Sequence, residues 1–212
     1  MTVLKEGFPF IFIPLAGAGI LIFSSRLESL PKTLSIIFIC IGAVFVVFSL
    51  FCVFFFRDPK ITITQGDNII LSPCNGTVME ITEENNEKVV RTFLSVFSVH
   101  LQRSPVAGTV TSVVHQSGKF LMAWDPKAHV ENEQNIITIE AADGIYTVRQ
   151  VAGFLARRCV SWVKQGDVLE TGDKIGMIKF SSQVDLHLPA HTVINVKKGD
   201  KVEAGITILG KK

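Results

Sequence analysis

The stretch VKQGDVLETG, residues 163–172, returns later in the chain as VKKGDKVEAG, residues 196–205. A shorter pair comes before it, with PCNGTV at residues 73–78 and PVAGTV at residues 105–110. Each copy places glycine where a strand must turn tightly, because glycine adopts backbone angles that other residues avoid. The repeats therefore predict strands joined by tight turns.

Residues 61–212 read as short strands, rich in β-branched and aromatic residues and separated by Gly, Pro, Asn or Asp. The pattern P-x-x-G-x-V followed by V-x-x-G-D-x-V-x-x-G resembles the barrel-sandwich arrangement of biotinyl/lipoyl-like domains. We therefore expect a mainly β fold of this barrel-sandwich kind. Carrier domains present a modified lysine in a hairpin, and no Met-Lys-Met turn is present, so the resemblance bears on the fold alone.

Two uncharged, apolar runs precede this domain, at residues 7–25 and 33–56. At about 1.5 Å per residue, each run is long enough to cross a hydrocarbon core of about 30 Å. We expect residues 1–60 to form a membrane anchor, a hairpin of two transmembrane helices. The first run also fits a signal peptide with Lys5 in its basic region, although no small-x-small cleavage site precedes the second run.

Basic residues flank the apolar runs unequally. Lys5, Arg57 and Lys60 lie at the outer ends of the hairpin, and Arg26 and Lys32 lie in its connecting loop. The excess predicts a protein of the cell membrane with its β domain on the cytoplasmic face. The net charge of +2 gives no indication of nucleic acid binding and suits a domain that lies against anionic lipid.

The cysteines indicate neither a metal site nor disulfides. Cys40 and Cys52 fall within the second apolar run, while Cys74 and Cys159 are isolated. No CxxC motif or Cys/His cluster occurs in the sequence, so we expect no metal ligand among them. The cysteines are interpreted as small apolar side chains of the interior.

His100 stands in one predicted strand, KVVRTFLSVFSVHL, residues 88–101. Taken alone, a histidine in an apolar strand is more often structural than catalytic, but longer motifs surround this one. They are FLSVFSVHLQRSPVAGTV, SGKFLMAWDPKAHVENEQN, VRQVAGFLARRCV and GMIKFSSQVDLHLP, with FFFRDP at the end of the second apolar run. In this order and spacing, the motifs resemble the short bacterial and archaeal phosphatidylserine decarboxylases, from about residue 54 to the C-terminus.

The resemblance implies a zymogen that cleaves itself at the Ser181–Ser182 bond. The family carries a Gly-Ser pair in the motif that aligns with FSSQVD, so Ser182 is the implied nucleophile and the source of a pyruvoyl cofactor. Cleavage would leave a β chain ending at residue 181 and an α chain of residues 182–212. The chains would stay together as a heterodimer, with a higher oligomer left open.

The implied enzyme is a lyase of phospholipid biosynthesis. The resemblance implies that the pyruvoyl carbonyl forms a Schiff base with the amine of phosphatidylserine, a membrane lipid. The group then takes up the electrons left when CO2 departs, and phosphatidylethanolamine is the product. A membrane anchor would keep this decarboxylase at the lipid interface.

His100 matches the family's catalytic histidine, which implies a base for self-cleavage and a proton carrier in decarboxylation. Asn75 replaces the family's Asp of an Asp-His-Ser arrangement, and an Asn can orient a histidine without stabilising its charged form. Ser181 replaces the family's Gly. A serine can adopt fewer backbone conformations than a glycine at the position before the cleaved bond. Asp185 is an alternative carboxylate, although a structural role explains it better.

Arg157 and Arg158 are candidates for binding a phosphate or carboxylate of the substrate, although a solvated pair explains them equally well. Two other interpretations of the chain stay open. The departures at Asn75 and Ser181 fit a relative that binds lipid without cleaving itself. The glycine repeats fit a membrane-anchored barrel-sandwich adaptor.

Overall fold

The computed structural model describes residues 1–121, 127–153, 158–179 and 182–212, with the side chains at positions 128, 129 and 182 outside this description. The chain divides into two compact units, Met1–Lys60 and Ile61–Lys212. The first is helical and the second is built from strands.

The elements of the first unit follow from its apolar runs. They are β1 (Thr2–Val3), a 3-10 helix (Lys5–Gly7), α1 (Phe8–Ser24), α2 (Lys32–Phe55) and β2 (Arg57–Asp58). Strands β1 and β2 pair antiparallel and so join the two ends of the unit. Proline in the first turn of α1 costs no hydrogen bond, because the first backbone N–H groups of a helix have no partner within it.

Helices α1 and α2 pack along each other through small residues. The Ser49 hydroxyl of α2 donates to the carbonyl of Ile11 in α1 at 3.0 Å. A Cβ atom at Gly42 would lie 2.9 Å from the side chain of Ile22, so only glycine permits this approach. Large apolar side chains face outward, with Phe23 74% exposed. The two helices are long and apolar enough to cross a membrane and suggest membrane association.

The second unit consists of short strands and one helical turn. Its elements are β3 (Ile69–Leu71), β4 (Gly76–Glu84), β5 (Glu87–Leu94), β6 (Leu101–Arg103), β7 (Gly108–Gln116), α3 (Ala128–Glu131), β8 (Gln134–Ala141), β9 (Gly144–Ala152), β10 (Arg158–Ser161), β11 (Val168–Leu169), β12 (Lys174–Lys179), β13 (Ser182–Pro189), β14 (Val193–Ile194), β15 (Lys201–Val202) and β16 (Ile208–Lys211).

The strands form an open, curled eight-stranded sheet with the order β11-β7-β8-β9-β13-β5-β4-β15. Two three-stranded sheets, β10-β12-β6 and β14-β16-β3, complete the unit. Strand β13 lies inside the large sheet and pairs antiparallel with β5 on one side and β9 on the other. The structure confirms the prediction of a mainly β fold that follows two apolar helices in the sequence.

One hydrophobic core joins the three sheets. On β13 the alternate residues Val184, Leu186 and Leu188 enter this core, as the two-residue period of a strand requires. Ile178 of β12 and Leu209 of β16 bring the small sheets to the same cluster. The large sheet is therefore covered on its apolar face by the two small ones.

The repeated sequence folds into repeated turns. In the first copy Gly166 donates its N–H to the carbonyl of Val110 at 2.8 Å, and in the second Gly199 donates to Val78 at 2.8 Å. The φ angles of these glycines are +91° and +93°. Because side chains disfavour such positive φ angles, the glycine spacing is a requirement of the two turns.

A second pair of glycines marks the ends of the two copies. Gly172 donates its N–H to Ser104 and Gly205 donates to Ser72, both at 2.9 Å. A Cβ atom on either glycine would lie within 2.8 Å of the side chain of Ile63. The two copies thus meet around one isoleucine, which explains why the sequence repeats glycine at both positions.

The prediction of one continuous strand over residues 88–101 is wrong. Strand β5 ends at Leu94 and β6 begins at Leu101. Between them the N–H of Ser98 donates to the carbonyl of Ser95 at 2.9 Å, and the two hydroxyl oxygens lie 3.2 Å apart. Serine hydroxyls offer the backbone local hydrogen bonds that compete with a ladder, so the apolar run turns here.

Candidate active site

The predicted cleavage site lies between β12, which ends at Lys179, and β13, which begins at Ser182. Ser181 and the side chain of Ser182 lie outside the described residues. The backbone at position 182 pairs with Leu94 of β5 and with Ala152 of β9. The residue that follows the predicted bond is therefore held from both sides within the large sheet.

The backbone of His100 is held beside β12. Its carbonyl accepts the N–H of Ile178 at 3.2 Å and the side-chain amide of Gln102 at 2.8 Å. The residue is 1% exposed, and Nδ1 lies 2.9 Å from the carbonyl oxygen of Ser98. A carbonyl can only accept, so Nδ1 carries the proton and Nε2 is the basic nitrogen of the neutral ring.

Two short connections bring His100 and position 182 to the same end of the unit. Leu94 pairs with position 182, and the Ser95–Ser98 turn leads from there to His100. On the other side, Ile178, which binds the His100 carbonyl, lies in β12 four positions before residue 182. Both elements of the predicted chemistry thus converge at the ends of β5, β12 and β13.

Asn75 lies in the turn between β3 and β4. Its side-chain oxygen accepts the N–H of Ala204 at 3.3 Å. The carbonyl of Pro73, two positions earlier, accepts the N–H of Arg103 at 2.8 Å, and Arg103 is at the opposite end of β6 from His100. The structure therefore ties Asn75 to Ala204, and an orienting role toward His100 stays a prediction.

Arg158 is the first residue of β10, is exposed, and lies opposite Lys179, the last residue of β12. Arg157 lies outside the described residues. The register thus places two positively charged residues side by side at the ends of β10 and β12. Sequence reasoning missed Lys179, and its only signal was its position next to the FSSQVD motif.

Asp185 is fully buried in the middle of β13, on the face opposite the core residue Val184. Its carboxylate accepts the Gln183 side-chain amide at 2.6 Å and lies 3.6 Å from Nε of Arg91. Burial raises the pKa of Asp185, against the opposing effects of the Gln183 hydrogen bond and the Arg91 charge. The contacts with Gln183 and Arg91 are those of a residue that stabilises the fold, which is the role expected for Asp185 from the sequence.

Asn132 is a further buried residue at this end of the unit. Its amide donates to the carbonyls of Ala152 at 2.7 Å and Leu121 at 2.9 Å, and its oxygen accepts the N–H of Leu121 at 2.8 Å. Ala152 is the ladder partner of position 182. Asn132 thus connects the segment at Leu121 to the strand beside the predicted cleavage site. In the sequence, the only indication of such a role was its place inside a long motif.

In the part of the chain that the structure describes, no group of three or more His, Cys, Asp or Glu side chains is placed to hold a metal ion.

Comparisons with known proteins agree on one family. The family model described as phosphatidylserine decarboxylase matches residues 48–210. The phosphatidylserine decarboxylase proenzyme of Carboxydothermus hydrogenoformans is 43% identical over 176 residues, 79% of this chain and 82% of that protein. The protein of the same name from Magnetococcus marinus is 35% identical over 217 residues, 99% of this chain and 94% of that protein.

Proposed function

This chain belongs to the phosphatidylserine decarboxylase family, and from that premise we propose that it is a proenzyme whose Ser182 becomes the pyruvoyl group of the active decarboxylase. Its reaction is the decarboxylation of phosphatidylserine. The observation that carries the proposal is the pair of contacts that join Ile178 to His100 and Leu94 to position 182. Nothing in the fold or the comparisons favours a non-processing relative or an adaptor.

Self-cleavage requires only groups of the chain and one water. The Ser182 hydroxyl gives its proton to a base and attacks the carbonyl carbon of residue 181. A C–O bond forms as the C–N bond breaks, and the base returns the proton to the freed amine nitrogen. Loss of the Ser182 α-proton then expels the ester oxygen from Cβ. This step frees the carboxylate of residue 181 and leaves dehydroalanine, whose imine form is hydrolysed to a pyruvoyl group and ammonia.

His100 is the base that we propose for the hydroxyl proton. Its Nδ1–H donates to the carbonyl of Ser98, which leaves the lone pair on Nε2. The side chain is almost fully buried and its backbone carbonyl has two donors, so the ring has little freedom to turn away. A positioned imidazole contributes about 10²–10⁴ to the rate of a proton transfer.

The pyruvoyl group is proposed to lie at the start of β13. When present, it supplies a carbonyl that draws electrons from the substrate amine as CO2 leaves. The ladder to Leu94 and Ala152 fixes the main chain that would carry it. Arg158, with Lys179 opposite, is proposed to bind the phosphate of the lipid head group.

The α chain, residues 182–212, is proposed to stay bound to the β chain, residues 1–181. Strand β13 would keep both ladders, to β5 and to β9, after the bond is cut. A hydrogen bond and an ion pair support the same association: Nδ1 of His187 lies 2.9 Å from the Glu87 carboxylate, and Nζ of Lys212 lies 2.8 Å from the Asp143 carboxylate. The new chain end would thus remain inside one sheet.

Residues 1–60 are proposed as the membrane anchor and residues 61–212 as the decarboxylase domain. The substrate is a membrane lipid, so an anchor of two apolar helices keeps the domain where its substrate is. The basic residues at the outer ends of the hairpin support a cytoplasmic location of the domain.

The test is a decarboxylation assay on the full chain in phosphatidylserine vesicles, with Ser182→Ala and His100→Ala beside the wild type. We expect the wild type to release CO2 and form phosphatidylethanolamine, and both variants to stay uncut and inactive. Activity in Ser182→Ala would refute the assignment of the pyruvoyl group to residue 182. A wild type without activity would refute the proposed function.

A further inference from the structure

A file of hydrogen-bonded side chains crosses the β unit and ends on His100. Nδ1 of His115 lies 2.8 Å from the side-chain oxygen of Asn135, whose amide donates to Oε1 of Gln150 at 3.2 Å. Nε2 of Gln150 donates to Oε1 of Gln102 at 2.8 Å, and Nε2 of Gln102 donates to the carbonyl of His100 at 2.8 Å. Every donor in the file therefore points toward His100.

The amides of this file are buried where apolar side chains would be expected. Gln102 and Gln150 are 0% exposed and Asn135 is 5% exposed. Gln150 stands on β9 between Val148 and Ala152, which both belong to the hydrophobic core. A buried amide is costly unless its groups are bonded, and here each is bonded to the next. Hydrogen bonds that run in one direction also strengthen one another.

The file links the large sheet to a small one at the level of His100. Asn135 and Gln150 are ladder partners on β8 and β9, while Gln102 belongs to β6. Gly176 of β12 leaves room for the bridging bond, because a Cβ atom there would lie 2.7 Å from Nε2 of Gln150. The bond between Gln150 and Gln102 thus fixes the segment that carries His100 relative to the strand that pairs with β13.

We propose that Gln102 and Gln150, oriented by Asn135, are positioning residues that hold His100 in register with position 182 for self-cleavage. This inference rests on the proposed function, because it assumes that His100 is the base. Gln102 supplies one of the two donors to the His100 carbonyl, and Gln150 keeps that donor pointed inward. A displacement of about 1 Å at a reacting group costs about 10²-fold in rate.

Gln102→Met is the first test variant. Methionine is unbranched and of similar size, and it removes the donor to the His100 carbonyl. The amide of Gln150 keeps an acceptor, since the carbonyl of Val160 lies 3.4 Å from its Nε2. We expect this variant to fold. Its self-cleavage, measured by pulse–chase translation into nanodiscs, should be about 10- to 100-fold slower than that of the wild type.

The double variant Gln102→Met/Gln150→Met separates positioning from stability. Replacing both partners of a buried hydrogen bond by apolar groups of the same shape is close to neutral for stability, and this applies to the bond between Gln102 and Gln150. The Asn135 amide also loses its acceptor, Oε1 of Gln150, so the thermal midpoint should fall by the cost of that one unpaired group while self-cleavage stays slow. Cleavage at the wild-type rate in either variant would overturn the proposal.

Tyr146→Phe is the matched control. It also removes a hydrogen bond, the partly buried one from the Tyr146 hydroxyl to Asp143, but near the start of β9. Ala152, the partner of position 182, is roughly 20 Å further along the strand at about 3.3 Å per residue. We expect this variant to lose stability and to cleave at the wild-type rate.

A spectroscopic readout keeps the inference separate from the proposed function. In the uncleaved Ser182→Ala chain, 15N NMR of labelled histidine reports the ring of His100, assigned by comparison with His100→Gln. We expect Gln102→Met to shift or broaden the His100 signals, and Tyr146→Phe to leave them in place. Unchanged His100 signals in Gln102→Met would overturn the inference even if the wild type proved unable to cleave.

Discussion

The N–H of Ile178 donates to the carbonyl of His100 at 3.2 Å, which joins the strand that leads to position 182 with the segment that carries the histidine. Because β12 ends at Lys179 and β13 begins at Ser182, this bond brings two distant parts of the sequence to one place.

His100→Gln is expected to abolish self-cleavage, because glutamine keeps a polar side chain but has no basic nitrogen. His187→Gln serves as the control. His187 is also buried, with Nδ1 2.9 Å from Glu87, but it lies further along β13. Gel analysis of both chains should show a single band for His100→Gln and two bands for His187→Gln. Cleavage in His100→Gln would remove the histidine from the mechanism.

Asn75→Asp is expected to leave the rate of self-cleavage unchanged. The carboxylate can still accept the N–H of Ala204, so the turn between β3 and β4 should fold as before. If position 75 instead stabilised the charged form of His100, the rate would rise, by up to about 10⁴-fold on the analogy of a serine protease triad. A time course of cleavage distinguishes these outcomes, and an accelerated variant would contradict the assignment of Asn75 to Ala204.

Arg158→Gln is expected to raise the KM for phosphatidylserine about three- to tenfold with little change in kcat, because it weakens binding of the lipid phosphate without touching the reacting atoms. Lys164→Gln, in the first repeated turn, is the control for the loss of one exposed positive charge. Steady-state kinetics in mixed micelles would measure both. Equal effects of the two substitutions would mean that only net charge matters.

Asp185→Asn is expected to change stability in a way that depends on pH. Burial raises the pKa of Asp185, so the native state binds its proton more tightly than the unfolded state. The contribution of Asp185 to the free energy of unfolding is therefore fully present below the pKa of the unfolded state. It is lost as the pH rises through the pKa of the folded state. The thermal midpoint of Asp185→Asn relative to the wild type should rise from pH 4 to pH 8. A constant difference would contradict the raised pKa.

The repeated glycines predicted much of the β unit correctly, because positive φ angles leave few other choices. Gly166 and Gly199 adopt the same turn in the two copies, and the apolar runs form the two expected helices. Local chemistry of this kind is visible in the sequence. The break between Leu94 and Leu101 was missed, because the β-branched and aromatic residues around Ser95 and Ser98 are typical of a strand.

The sequence predicted only those residues of the candidate site that lie in motifs shared with a known family. His100 and Ser182 came from resemblance, and no pattern in the sequence indicated that Gln102 and Gln150 would meet. Their contact joins strands of two different sheets, so it depends on the tertiary fold and not on local spacing. The hydrogen-bond partner of Asn75, Ala204, likewise lies far away in the sequence, so local spacing could not indicate it.

The intact mass of the purified wild-type protein tests the central claim most directly. Self-cleavage at the Ser181–Ser182 bond predicts two chains, residues 1–181 and residues 182–212, and the smaller one carries a pyruvoyl group in place of its first serine. A single uncut chain of 23.3 kDa would contradict the account.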